Sequence, residues 1–289
     1  MKNYIKLMRP KHYLKNFLVF IPLLFSGNFF EEKMILKVIF AFVSFSLAAS
    51  VVYIINDIRD KEKDKLHEKK KNRPIASGKV PVPNAIAFSI LLIIMSVIFN
   101  YLAIGKLINI SYIFILIYVI INIFYSFGLK DVPIIDIAIL VSGFVIRVLY
   151  GASVINIVVS NWLYLTVMSL SFYLGLGKRR NEYIKQGAKS RNVLMYYTKD
   201  FLDKNMYIFL AISIVFYTMW TVDPIIVNKT NNLMIWTVPI MMLLCMKYSM
   251  NVESDNYGDP VDVITSDKTL LVLGIIYCII VAILIYIPF

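Results

Sequence analysis

Oxygen donors are concentrated in one stretch of nine residues, N56-D-I-R-D-K-E-K-D64. It follows directly on a long apolar run, Met34 to Ile55. If that helix continues past Ile55, Asn56, Asp57, Asp60 and Asp64 fall within an arc of about 100°. Arg59 and Glu62 point elsewhere. Like charges on neighbouring helical turns repel, so three carboxylates on one face call for a cation between them. A donor set made only of oxygens suits Mg2+, which keeps some of its waters and bridges to phosphate groups. The spacing therefore predicts a Mg2+–diphosphate site at the cytoplasmic mouth of a helical bundle, with Asn56, Asp57, Asp60 and Asp64 as ligands. A solvated, mixed-charge helix end would have the same spacing, and spacing alone leaves both readings open.

The elements that must position this face are membrane helices. The chain has 289 residues, 59% of them hydrophobic, with a mean hydropathy of +0.72. A bilayer span needs about 20 mostly apolar residues. About nine such runs occur, near 16–31, 34–55, 84–104, 107–128, 133–153, 157–176, 206–222, 233–250 and 269–288. The expectation is an all-α, polytopic membrane bundle of about nine transmembrane helices. It forms a single integral-membrane domain over 1–289, with cytoplasmic loops capping the active site.

The basic N-terminal segment has no small-residue cleavage site after it, so the first run is expected to be retained. Cys245 and Cys278 lie in apolar runs with no pairing pattern, and His12 and His67 are isolated. The net charge of +12 is concentrated in 57–83 and 177–204, while the connections near 104–107, 153–160 and 223–231 are nearly uncharged. Positive loops stay cytoplasmic. This places the N-terminus and the basic loops in the cytoplasm of a bacterial plasma membrane. The basic charge is accounted for by topology and anionic lipid, so no nucleic-acid partner is expected. A homo-oligomer is compatible with the sequence.

The motif N-D-x-x-D-x-x-x-D at the end of the second run, followed by R73-P-I-A-S-G78, resembles the first signature of the UbiA-type intramembrane prenyltransferase superfamily. The resemblance runs from M8-R-P-K11 over nearly the whole chain. It implies a UbiA-like fold and Mg2+ and diphosphate binding at Asn56, Asp57, Asp60 and Asp64, the three aspartates being catalytic. Users of prenyl diphosphates in this superfamily carry a second aspartate-rich stretch after the sixth span. Here that place reads G177-K-R-R-N-E-Y-I-K-Q-G-A-K-S-R191, with no Asp and only Glu182 acidic. Lys178, Arg179 and Arg180 suit phosphate oxygens better than a metal, although basic residues at a helix end also serve topology and the helix dipole. Y125-S-F-G-L-K130, I135-D-I-A-I-L-V-S-G-F-V-I-R147, R191-N-V-L-M-Y-Y-T198 and G258-D-P-V-D-V-I-T-S-D-K268 resemble the decaprenyl-phosphate phosphoribosyltransferase branch.

That branch implies a pentosyl transfer from phosphoribosyl pyrophosphate to a polyprenyl phosphate, with pyrophosphate released. Arg73, Lys130, Lys178, Arg179 and Arg180 are the candidates for holding the phosphates. Arg147 sits mid-run, where a charge costs on the order of 3 kcal/mol. It is expected to face a cavity and a phosphate or acid, with a structural ion pair as the alternative. Asp136 shares its helical face, and Tyr125, Asp136 and Glu182 complete the candidate set. Two other readings compete: a prenyl transfer to an aromatic acceptor on the same fold, and a transporter without turnover.

Overall fold

A computed structural model describes residues 2–68, 70–187, 191–254 and 259–287. Among them every regular element is helical. In chain order these are α1 (Lys2–Met8), a 3₁₀ segment (Pro10–Phe20), α2 (Ile21–Ser26), α3 (Glu32–Arg59), α4 (Lys61–Leu66), α5 (Val82–Ile104), α6 (Ile110–Ser126) and α7 (Ile135–Ile155). They continue with α8 (Asn161–Gln186), a 3₁₀ turn (Asn192–Tyr196), α9 (Lys199–Thr221), α10 (Pro224–Thr230), α11 (Val238–Glu253), α12 (Pro260–Ser266) and α13 (Lys268–Tyr286).

Among the described residues, six helical stretches are long and apolar enough to cross a membrane: α3, α5, α7, α9, Leu233–Glu253 and α13. The expected nine runs are thus only partly matched by length and composition. Apolar α6 is short, at 17 residues. Helix α8 is 26 residues long but carries Thr166, Ser169, Ser171 and a charged end. The first expected run is not one helix. Pro10 opens a 3₁₀ segment, Pro22 sits in the first turn of the six-residue α2, and Gly27 ends it at φ 85°. Proline has no N–H and favours helix starts over helix interiors.

The chain divides into two compact units. The first holds residues up to Lys130 and Ile146–Val158. Here α3 packs chiefly on α5, and the two come close through small residues. Ser44 donates to the Ser96 carbonyl at 2.8 Å and Ser96 to that of Ser44 at 2.9 Å, the small-residue packing that membrane helices favour. Phe45, Ala48 and Val52 of α3 share a core with Tyr118, Tyr150 and Val154. Gly151 is required: a Cβ there would lie 2.1 Å from the Val19 carbonyl oxygen.

The second unit holds Asp131–Val145 and the chain from Val159 onward. Its main packing is α8 on α9, around Tyr173, Leu176, Leu194, Leu202, Met206 and Val252. Side-chain caps start its helices: Ser160 for α8, Thr198 for α9, Asp259 for α12 and Asp267 for α13. Each accepts a backbone N–H that would otherwise lack a partner.

Candidate active site

Helix α3 carries the acidic motif and ends at Arg59, with Asp60 as the joint to α4. Helical spacing survives the joint, because Asp64 N–H donates to the Asp60 carbonyl at 2.8 Å. Asp57 and Asp64 are buried and converge on one cation. Arg73 Nη1 lies 3.1 Å from Asp57 Oδ1 and 2.7 Å from Asp64 Oδ2. Arg73 can do this because its loop is anchored: Ile75 and Val80 are buried in a core with Leu7, Val51 and Ile54, and Gly78 at φ 74° closes the turn. Arg9 donates to the same Asp57 Oδ1 and lies 5.1 Å over the Tyr53 ring.

The other two expected ligands turn elsewhere. Asp60 accepts from Lys130 Nζ at 3.0 and 3.1 Å, and Asn56 Oδ1 accepts from Ser126 at 3.2 Å. Half-buried Tyr125 sits one residue before Ser126. Arg59 lies 5.1 Å over the Phe127 ring, so the segment 126–130 grips the helix end at three points. Among the described residues no three His, Cys, Asp or Glu side chains converge as a metal cluster. Asp57 and Asp64 alone fit a divalent ion, in that their oxygens already share one cationic atom and both are oxygen donors.

Arg147 is buried. It is 5% exposed, with Nε donating to Asn16 Oδ1 at 2.8 Å and Nη2 to the Tyr118 hydroxyl at 3.2 Å. The rings of Phe45 and Tyr118 each lie 5.0 Å away. Cation–π contacts and neutral acceptors make a buried guanidinium tolerable.

In the second unit, the three consecutive basic residues of α8, Lys178, Arg179 and Arg180, are each paired with an acid. Arg179 is fully buried and donates to Asp136 at 2.6 Å and to Glu182 at 2.7 Å. Asp136 also accepts from the Tyr197 hydroxyl at 2.6 Å. Burial and that bond push the Tyr197 hydroxyl up, so it stays protonated as a donor. Burial acts to raise the Glu182 carboxyl, but Arg179, Lys178 and Arg191 outweigh it and leave it below its ordinary value. Arg179, expected as a phosphate contact, is thus enclosed in an ion pair with Asp136 and Glu182. Lys178 pairs with Asp259 at 3.2 Å, and Arg180 pairs with Asp203. Among the described residues, Arg180 Nη1 and Asn181 Nδ2 are buried donors without a hydrogen-bond partner.

Sequence reasoning missed Arg9, Asn16, Tyr197, Asp203 and Asp259. Arg9, Tyr197 and Asp259 lie inside stretches that carry the family resemblance. Asn16 and Asp203 had no signal at all, being an isolated amide and one acid in a mixed-charge helix start.

A model of the UbiA prenyltransferase family matches residues 17–263. The chain belongs to the UbiA prenyltransferase family. It is accordingly a transferase, and its apolar helices make it a multi-pass membrane protein. Like other UbiA-family chains it has solved structural neighbours. A UbiA homologue from Archaeoglobus fulgidus bound to DMAPP and Mg2+ superposes with a TM-score of 0.69, covering 97% of this chain and 99% of its own, at 19% identity. Among curated relatives, a decaprenyl-phosphate phosphoribosyltransferase of Corynebacterium glutamicum is 33% identical over 96% of this chain and 86% of its own. A protein of the same description from Mycolicibacterium smegmatis is 32% identical, covering 93% and 88%.

Proposed function

We propose that this protein, as one transferase domain, moves the 5-phosphoribosyl group of phosphoribosyl pyrophosphate onto a polyprenyl phosphate and releases pyrophosphate. The observation that carries the reading is on α8. Where a second aspartate-rich stretch would serve a prenyl diphosphate, the helix bears Arg180 with a buried, unmatched Nη1 donor. A guanidinium donor in that position suits a phosphate oxygen. The two phosphoribosyltransferase relatives, similar along most of the chain, support it.

Asp57 and Asp64 would hold Mg2+, with Asn56 and Asp60 joining when their partners release them. Bound there, Mg2+ would supply charge neutralisation to the departing pyrophosphate. The same carboxylates favour the positive charge that develops on the ribose. A lipid phosphate oxygen forms the new bond to C1 as the bond to pyrophosphate breaks, on the opposite face and with inversion. That oxygen is already anionic, so no strong general base is needed. We assign phosphate binding to Arg73 and Lys130 in the first unit and to Lys178 and Arg180 in the second, while Arg147 and Arg179 brace the helices of their own units. The protein would work in a bacterial plasma membrane with its N-terminus and basic loops in the cytoplasm.

The test is a pair of reactions with purified protein and Mg2+. One contains radiolabelled phosphoribosyl pyrophosphate and polyprenyl phosphate; the other contains a prenyl diphosphate and 4-hydroxybenzoate. Label entering lipid only in the first is the expected result. Product only in the second overturns the proposal in favour of prenyl transfer, and no product in either favours a protein without turnover.

A further inference from the structure

Asp57, Asp60 and Asp64 are each matched by a basic side chain: Arg9 and Arg73 on Asp57, Arg73 on Asp64, and Lys130 on Asp60. Three negative charges meet three positive ones, so the site is neutral as it stands. A metal ion entering between Asp57 and Asp64 must displace a guanidinium. Displaced alone, that cation is left beside the metal, and like charges at short range repel. Arriving with a diphosphate, the metal brings anionic oxygens to which the freed guanidinium can turn.

Arg9 is the side chain best placed for this exchange. It holds Asp57 alone, whereas Arg73 bridges both carboxylates. It lies at the turn between α1 and the 3₁₀ segment, in the left-handed region at φ 54°, ahead of Pro10. A non-glycine residue held there marks a backbone fixed by its surroundings. The fixed backbone and the Tyr53 ring set where the guanidinium starts, and its 21% exposure leaves it room to swing.

We propose that Arg9 is the resident counter-cation of Asp57, which opposes binding of the metal alone and binds the diphosphate when metal and diphosphate arrive together. This rests on the Mg2+–diphosphate reading of the acidic motif. Metal and diphosphate then bind cooperatively, and by linkage each tightens the other by the same factor.

The experiment is equilibrium binding of Mn2+ to the full chain in detergent, with and without inorganic pyrophosphate. Wild type should bind Mn2+ at least about tenfold more tightly when pyrophosphate is present. Arg9→Gln should bind Mn2+ alone about tenfold more tightly than wild type and lose most of the pyrophosphate enhancement. Arg9→Lys keeps the charge but not the planar fork, and should fall between the two. If Arg9→Gln leaves both affinities unchanged, or weakens Mn2+ alone, the counter-cation role is overturned while the metal site stands. If wild type binds no Mn2+ under either condition, the metal–diphosphate reading itself falls. Should Arg9→Gln not fold, unchanged binding by Arg9→Lys overturns the role instead.

Discussion

The acidic motif on α3 and the basic stretch on α8 are built from the same kinds of ion pair with the burial reversed. For Asp57 and Asp64 of the acidic motif the acids are inside: their side chains are 3% and 4% exposed, while Arg9 and Arg73 are 21% and 26% exposed; Asp60, 20% exposed against 15% for Lys130, does not follow them. In two α8 pairs the bases are inside: Arg179 and Arg180 are 0% and 8% exposed, while Glu182 and Asp203 are 21% and 26% exposed; Lys178, 26% exposed against 18% for Asp259, does not follow them. The outer partner of each pair is the one that can turn to water. What stays behind is a carboxylate in the first case and a guanidinium in the second. Under the proposed function the first would receive a cation and the second an anion. Their identical chemistry of pairing hides opposite preferences for a ligand. Asp136 with Arg179 belongs to neither pattern, because both side chains are fully buried.

That exception gives the largest expected effect. Arg179→Gln leaves Asp136 buried without its cation, and breaking a buried pair from one side costs about 3–5 kcal/mol. Thermal unfolding in detergent should show it, with Asp136→Asn in the same chain recovering much of the loss. Arg180→Gln leaves only the outer Asp203, so its unfolding should shift little while the KM for a phosphate substrate rises. Equal destabilisation by the two variants would break the distinction between a locked pair and an open one. Next in size is Asp64→Asn. Arg73, left behind at the rim, is hydrated there, so stability should change little. Transfer should nonetheless fall by more than about 100-fold, beyond the range seen for residues that only support a metal ligand. Activity near wild type would remove Asp64 from the site.

Much of this is legible in the sequence. The acidic face could be read because its spacing is local: helical turns bring Asp57 and Asp64 together whatever surrounds them. The helical class followed from the apolar runs. What could not be read was partnership across long stretches of chain. Arg9 reaches Asp57 across 48 residues and Arg179 reaches Asp136 across 43. Nothing in periodicity says which lysine or arginine will be enclosed and which will stay at the rim. Arg147 stands out by its apolar surroundings, but nothing in its spacing points to the Asn16 amide or to the Phe45 and Tyr118 rings that it meets. The first apolar run misled because hydropathy averages over Pro22, which starts α2, and Gly27, which ends it.

The smallest effect concerns pH and the outer acid of the α8 network. The Glu182 carboxyl is held below its ordinary value of 4.5 because Arg179, Lys178 and Arg191 outweigh its burial. A carboxylate with a lowered folded-state pKa stabilises the fold above its unfolded pKa. That contribution disappears as the pH falls through the lower folded value. Glu182→Gln should therefore lower stability at neutral pH by about 1 kcal/mol or less, as for a pair at the rim. The difference from wild type should close as the solution is acidified below the ordinary glutamate range. Because the guanidinium stays buried, a variant that lost stability as steeply with acid as wild type would place the titrating group elsewhere. A gap that widened on acidification would mean that Glu182, and not Arg179, is the member of the pair whose charge the fold cannot spare, reversing the order of burial and dependence argued for α8.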